Sequence, residues 1–378
     1  MKVLHSGSLD VLSGGPALST LLTIRGLINS GVDASIIMSA LGKDGKLIAD
    51  DISISYTKAP IIPRLGYISN CKDVLESIED VGLYHIQGIW QLLGHSVAKH
   101  ARSRNIPYIV TLRGMLYPQA LQKSRLIKKI SLELYQRKDL DNAACIQATC
   151  IEEKDYYRDL GFRNPVAVIP NPIETNGVIE RPVSSPDKIR IGYLGRVHPR
   201  KRIERLINAV SVLNSEYSNI ELLIIGSGDI EYEKALRNQV ENLGLKNVVF
   251  TGFLTGAEKD KAIMSLSYLC VPSDFENFGN IVTEALVRGV PVIASKGTPW
   301  RVLEEMNCGW WIDNDTDSII KTLHQALSQS EDSRLRMGYN GKKLISENFE
   351  VDVLGNKMRH LYEWVLGKGE KPDFVYTD

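Results

Sequence analysis

Two carboxylates and two cations in the second half of the chain have the types and spacing to do chemistry. Glu276 and Glu284 have seven residues between them. Glu276 follows an apolar run at 268–272 that reads as a buried strand. Glu284 falls one turn into the helix that comes next, and a second apolar run at 290–294 reads as another strand. Strand, loop, helix, strand is the parallel-sheet pattern, in which ligands sit at the carboxyl ends of strands. The corner Phe278, Gly279, Asn280 and Ile281 aims backbone N–H groups at whatever lies above the strand, a place that favours an anion. Upstream, a buried strand at 189–194 runs into Gly195, Arg196 and, five residues on, Lys201. The guanidinium offers a planar fork of donors for phosphate oxygens, and the ammonium adds a mobile point charge. Two acceptors for hydroxyls beside an anion hole suit a nucleotide sugar.

The elements that must position these groups form two series. In the first half, strands are expected at 2–5, 33–38, 82–86, 108–112, 144–148 and 166–169, with helices at 17–29 and 130–140. Gly14, Gly15 and Pro16 make a turn that opens the first helix, and Gly15 lets the backbone approach a diphosphate or an acceptor. In the second half, strands are expected at 189–194, 221–225, 248–251, 268–271, 290–294 and 310–312, with a helix at 203–213. Between the series, 174–188 carries Pro182, Ser184, Ser185 and Pro186 and reads as a linker. The expected division is 1–173, together with a final helix segment 353–378, and 189–352. Gly226-Ser227-Gly228 follows a strand, but Glu231 stands where a dinucleotide fingerprint has its third glycine. That argues against a nicotinamide enzyme.

Composition narrows the field. A chain of 378 residues exceeds one ordinary core. Its 45 basic and 45 acidic side chains cancel, which argues against a nucleic-acid partner. The five cysteines have neither CxxC nor zinc spacing, so reduced core thiols and a cytoplasmic setting are expected. No apolar run approaches the ~20 residues that span a bilayer. Segment 121–138 interleaves Lys123, Arg125, Lys128, Lys129, Arg137 and Lys138 with Leu126, Ile127, Ile130 and Leu134. It reads either as an interfacial helix touching anionic lipid at the inner face of the plasma membrane or as an amphipathic helix with one core face.

Taken together, the Gly195-Arg196 to Lys201 loop, Gly226-Ser227-Gly228, the Glu276–Glu284 pair, Asn171-Pro172 and Gly14-Gly15-Pro16 resemble the large retaining family 4 of GT-B glycosyltransferases. The resemblance covers nearly the whole chain. The words Arg113-Gly114-Met115-Leu116, Thr298-Pro299-Trp300 and Cys308-Gly309-Trp310-Trp311 resemble a bacterial branch associated with cell-surface polysaccharides. The resemblance implies an α/β, GT-B fold of two doubly wound Rossmann-like domains facing across a cleft, with a C-terminal helix crossing back to the first domain. It implies a retaining transferase with no cofactor or metal, a nucleotide-sugar donor, and a glycan or lipid-linked acceptor of the O-antigen, capsule or exopolysaccharide kind.

By the same likeness, Glu276 meets the donor sugar's hydroxyls, Glu284 binds the ribose, and Arg196 and Lys201 neutralise the diphosphate. Gly15, Gly195, Gly226, Phe278, Gly279, Asn280 and Ile281 complete the donor site. Family members often carry His-x-His near the acceptor. Here the word is His85-Ile86-Gln87, whose histidine serves either the acceptor side or as a hydrogen-bonded structural residue, and Arg113 stands where many have a cleft histidine. Arg113 suits an anionic acceptor or the donor phosphate; it cannot act as a general base, because arginine stays protonated. Trp300, Trp310 and Trp311 line a sugar site or pack. A GT-B-like epimerase or phosphorylase, or a non-catalytic nucleotide-binding partner subunit, fits the same residues.

Overall fold

The computed structural model of the chain describes residues 1–378 apart from 44, 49–50, 62–65, 67, 176 and 178–187. The linker residues Pro182, Ser184, Ser185 and Pro186 lie outside the described residues. The chain divides into two compact units, Met1–Glu174 with Phe349–Asp378, and Thr175–Asn348.

In the first unit the strands are β1 (Lys2–Ser6), β2 (Asp33–Ser39), β3 (Ile54–Thr57), β4 (Leu83–Gln87), β5 (Tyr108–Thr111), β6 (Cys145–Ala148) and β7 (Val166–Val168). They run in the order β3-β2-β1-β4-β5-β6-β7, every pair parallel. The second unit holds β8 (Ile189–Leu194), β9 (Ile220–Ile225), β10 (Val248–Gly252), β11 (Tyr268–Val271), β12 (Val292–Ser295) and β13 (Gly309–Ile312). Its order, β10-β9-β8-β11-β12-β13, is the same doubly wound plan. Both sheets reverse their winding beside the first strand, between β1 and β4 and between β8 and β11. A final strand, β14 (Val375–Tyr376), adds antiparallel to β7. The strand runs are apolar on both faces, as β5 and β6 show by burying all four residues.

Glu350 caps the helix Val351–Val365, accepting from the Asp352 amide at 2.7 Å, so the return to the first unit begins at Phe349. This helix lies against Gly15–Asn29, and the crossing depends on two glycines. A Cβ built on Gly26 would sit 3.1 Å from the Gly355 Cα. Leu354, Met358, Leu361 and Tyr362 complete a cluster with Leu21, Ile24 and Leu27. Each such side chain contributes about 1.5–3 kcal/mol on burial.

Segment 130–140 is not one regular helix. Arg125–Ser131 gives way to a π-helical stretch, Leu132–Gln136, and then Arg137–Asp141. The widened turn brings adjacent side chains onto the Trp90 backbone. Gln136 Oε1 accepts the Trp90 amide at 2.8 Å, and the Tyr135 hydroxyl donates to the Trp90 carbonyl at 2.8 Å. Leu126, Ile127, Ile130 and Leu134 are exposed. Strand β3 escapes a reading by pattern because Ile54–Thr57 is half polar and only partly buried, and β14 because two residues are too few to show any period.

Candidate functional site

In the second unit, a pocket of about 320 Å³ opens at the carboxyl ends of β8, β9 and β10. Gly195 and Arg196 border it from the end of β8, and Gly226 and Ser227 from the end of β9. Phe253 and Leu254 follow β10, Lys259 comes from the helix Gly256–Met264, and Ile281 opens the helix Asn280–Leu286. The Gly195 amide donates to the Ile225 carbonyl at 2.9 Å, and Val197 to Ser227 at 3.1 Å, so the two loops are clasped together. Gly226 has φ 138°, and a Cβ there would run into the Gly195 carbonyl. Only glycine lets these backbones meet at the pocket floor.

Beside the pocket the structure pairs the charges. Lys201 ends the turn Pro199–Lys201 and is buried. Its ammonium donates to Glu276 Oε1, which also accepts from the Ser273 hydroxyl at 2.7 Å. Burial pulls the lysine's pKa down, against the opposing pull of Glu276. The loop bearing Glu276 is held by its own amide on the Gly297 carbonyl and by the Asp274 amide on the Arg200 carbonyl, each at 2.8 Å. Arg202 fixes the same loop through Asp274 at 2.6 Å, while Arg200 lies over the Phe275 ring. Arg196 is exposed. Glu284 is ion-paired with Lys259, so the second carboxylate reaches the pocket through a lysine that pattern reading missed. The position of Lys259, at the start of the helix that follows a strand in a doubly wound sheet, was the available signal.

The Gly279 corner is left-handed, with φ 81°, and no side chain caps the helix it opens. Phe278 is buried against Trp300, whose indole N–H donates to the Phe278 carbonyl at 2.5 Å. Trp300 is 1% exposed and packs instead of lining a sugar site. The Trp310 ring lies edge-on to Tyr268, and the Trp311 indole donates to the Thr298 carbonyl at 2.8 Å.

In the first unit, a pocket of about 380 Å³ sits at the switch point of the sheet, bordered by Ser6, Gly7 and Ser8 after β1 and by Gln87 and Gly88 after β4. Ser13, Pro16 and Ala17 border it too; Gly15 does not, and instead begins the helix behind the φ 61° turn at Gly14. Arg113 lines the pocket. Gln87 is turned by two neighbours: its Nε2 lies 3.1 Å from His5 Nδ1, and its Oε1 accepts from Arg113 Nη2 at 2.6 Å.

His85 is placed otherwise than expected on the acceptor side. It is fully buried, 2.6 Å from the Tyr362 hydroxyl through Nδ1 and 2.7 Å from Thr111 Oγ1 through Nε2. Thr111 donates onward to Gln147 Oε1 at 2.7 Å, so its oxygen takes the His85 Nε2 proton, and Tyr362 donates to Nδ1. Burial holds this imidazole neutral. It therefore ties β4 to β5 and to the C-terminal helix, with no nitrogen left for a ligand.

The sequence matches the family described as "Glycosyl transferases group 1" over residues 178–344 and a "Glycosyl transferase 4-like domain" over 14–172. The chain belongs to the group 1 glycosyltransferases of the GT-B fold. Among relatives of this chain, a phosphatidyl-myo-inositol mannosyltransferase of Mycolicibacterium smegmatis is 32% identical over 186 residues, 47% of this chain and 46% of that protein. A capsular polysaccharide biosynthesis glycosyltransferase of Staphylococcus aureus is 26% identical over 188 residues, 49% of this chain and 48% of that one. The matches thus span about half the length of these curated relatives. A solved structure of an Anabaena protein in complex with UDP and glucose shares the fold, with a TM-score of 0.73 and 18% identity, over 96% of this chain and 99% of that one. Among the described residues, no helix is long and apolar enough to cross a membrane, and no group of three or more His, Cys, Asp and Glu side chains is set to hold a metal ion.

Proposed function

We propose that this group 1 glycosyltransferase moves a sugar, with retention and without a metal ion, from a nucleotide-diphosphate sugar to a hydroxyl of a glycan or lipid-linked acceptor in cell-surface polysaccharide synthesis. One observation carries the reading. A glycine-floored pocket at three strand ends has Arg196 and Lys259 on its border, Glu284 paired to that lysine, and the Lys201–Glu276 pair beside it. The Anabaena complex with UDP and the Staphylococcus relative in capsule synthesis support the donor class and the setting.

The donor's C1–O bond breaks through an oxocarbenium-like state, and negative charge gathers on the departing diphosphate. Arg196 and Lys201 supply positive charge that is already in place, the kind of electrostatic stabilisation often largest in catalysis. In this reading they do the work a divalent ion does elsewhere. Glu276 keeps Lys201 charged in a buried setting and turns its second oxygen to the sugar. Glu284 exchanges Lys259 for ribose hydroxyls. The acceptor hydroxyl attacks from the face the diphosphate leaves, passing its proton to the leaving phosphate, so no protein base is required. The exposed Leu126, Ile127, Ile130 and Leu134, with outward Lys123, Arg125, Lys129 and Lys138, support peripheral docking on an anionic membrane.

Thermal melts against UDP-, GDP-, ADP-, CMP- and dTDP-sugars test the donor assignment. At a hundredfold over Kd, binding adds about 2.7 kcal/mol, roughly 5–10 °C for a unit of this size. One series should produce that shift and lose it in Glu284→Ala. No shift with any series, together with no sugar released or transferred from any donor, rejects the reading.

A further inference from the structure

The first unit's pocket is lined by a cation, Arg113, that has no ion-pair partner among the described residues. Arg113 Nη1 donates to the Ser19 hydroxyl at 2.5 Å, and Nη2 to the Thr20 hydroxyl at 2.9 Å and to Gln87 Oε1 at 2.6 Å. Every partner is a neutral oxygen, and among the described residues Arg113 makes no ion pair. Among the described residues its Nε is buried without a partner. So is the hydroxyl of Ser6, which lines the same pocket from the end of β1. Two pocket-lining side chains, one of them charged, thus each carry a buried polar atom that the described residues do not satisfy.

The surroundings keep this charge uncompensated. Arg113 sits in a left-handed turn, φ 54°, followed by Gly114 at φ 71°. A non-glycine residue persists there only where neighbours over-determine it. Glu153 does so: its carboxylate accepts the Gly114 amide, the Thr149 amide at 2.7 Å and the Thr149 hydroxyl at 3.0 Å. The carboxylate that the guanidinium senses is thereby committed to the turn and forms no ion pair with Arg113. His5, behind Gln87, is held neutral, its pKa pushed down to about 3 by burial and by the Arg113 charge. Burial draws Arg113 itself down to about 10, still protonated at neutral pH.

We propose that this pocket receives an oxyanion carried by the acceptor, a sugar carboxylate or a phosphate, with Arg113 as its counter-ion and the Ser6 hydroxyl as a second donor. This rests on the transferase reading and names the acceptor's class: an acidic sugar or a phosphorylated carrier, in preference to a neutral glycan. Hydrogen bonds to a charged group are worth enough to separate an anionic from a neutral ligand by roughly ten- to hundredfold.

The test is a titration of the full chain with methyl β-D-glucuronide, glucose 1-phosphate and the neutral methyl β-D-glucoside, followed by saturation-transfer NMR, with UDP alongside. The glucuronide or glucose 1-phosphate should bind at least tenfold more tightly than the glucoside, and whichever binds identifies the carboxylate or the phosphate as the source. Arg113→Gln should erase the preference. Ser6→Ala, which removes a hydroxyl without a partner and leaves the fold intact, should weaken it severalfold. Equal binding of the neutral and acidic glycosides by the wild-type protein overturns the proposal without reference to any variant. So does an Arg113→Gln loss confined to UDP, which would put the donor's own phosphate in this pocket. Nucleotide binding retained with no preference for acidic ligands defeats this inference alone; absence of nucleotide binding defeats the donor reading on which it stands.

Discussion

Replacing Glu276 with glutamine leaves the Lys201 ammonium buried with its counter-charge removed. The two side chains are 9% and 8% exposed, so water screens neither. Breaking such a pair from one side costs about 3–5 kcal/mol, because the remaining charge is stranded. For a unit of this size that lowers its melting temperature by roughly 6–20 °C. Lys201→Met strands Glu276, left with the Ser273 hydroxyl among the described residues, and belongs in the same range. The double variant removes both charges and should be about 2–3 kcal/mol more stable than the sum of the two single losses.

pH adds a signed test. Burial sets the lysine's folded pKa below its ordinary 10.5, so between that lowered value and 10.5 the unfolded chain holds more protons, and stability rises with pH. In Glu276→Gln the folded value drops further and the window opens at lower pH. The deficit against wild type is therefore largest with both lysines charged and shrinks as the variant's lysine gives up its proton first. Urea titrations followed by tryptophan emission read this out, since Trp300, Trp310 and Trp311 all lie in the second unit. Single variants within about 0.5 kcal/mol of wild type, or strictly additive, refute the buried-pair argument.

Two further outcomes follow from packing and from surface. Gly355→Leu forces a side chain into the Gly26 backbone and should unseat the helix Val351–Val365, seen as faster hydrogen exchange there and in Gly15–Asn29; unchanged protection contradicts the close crossing. Leu126→Ser with Leu134→Ser should weaken co-sedimentation with vesicles containing anionic lipid by roughly a hundredfold, and added salt should weaken wild-type binding; indifference to both removes the membrane from the reading.

Much of the fold was legible because its signals are local. The apolar runs at 189–194 and 268–271 are strands at those bounds, and the helix at 203–213 is where its periodicity placed it. Regular elements need only a stretch of chain whose own pattern repeats. Segment 130–140 failed as a single helix because its π turn answers to Trp90, some forty residues away in sequence and invisible to a pattern confined to the segment.

The candidate site divides along the same line. Residue types and spacing by themselves picked out Glu276, Glu284, Arg196 and Lys201 and the strand ends that carry them. They could not say which charge meets which. Lys201 and Glu276 are 75 positions apart, and Arg113 finds its hydroxyls 93 and 94 positions away. Only the tertiary structure decided that His85 is a buried tie between strands, that Glu284 is paired with Lys259, and that Arg113 meets hydroxyl and amide oxygens and, among the described residues, no carboxylate. The physical reason is that charge pairing and desolvation depend on separation in space and on what excludes water, and the chain acquires both only when its sheets assemble.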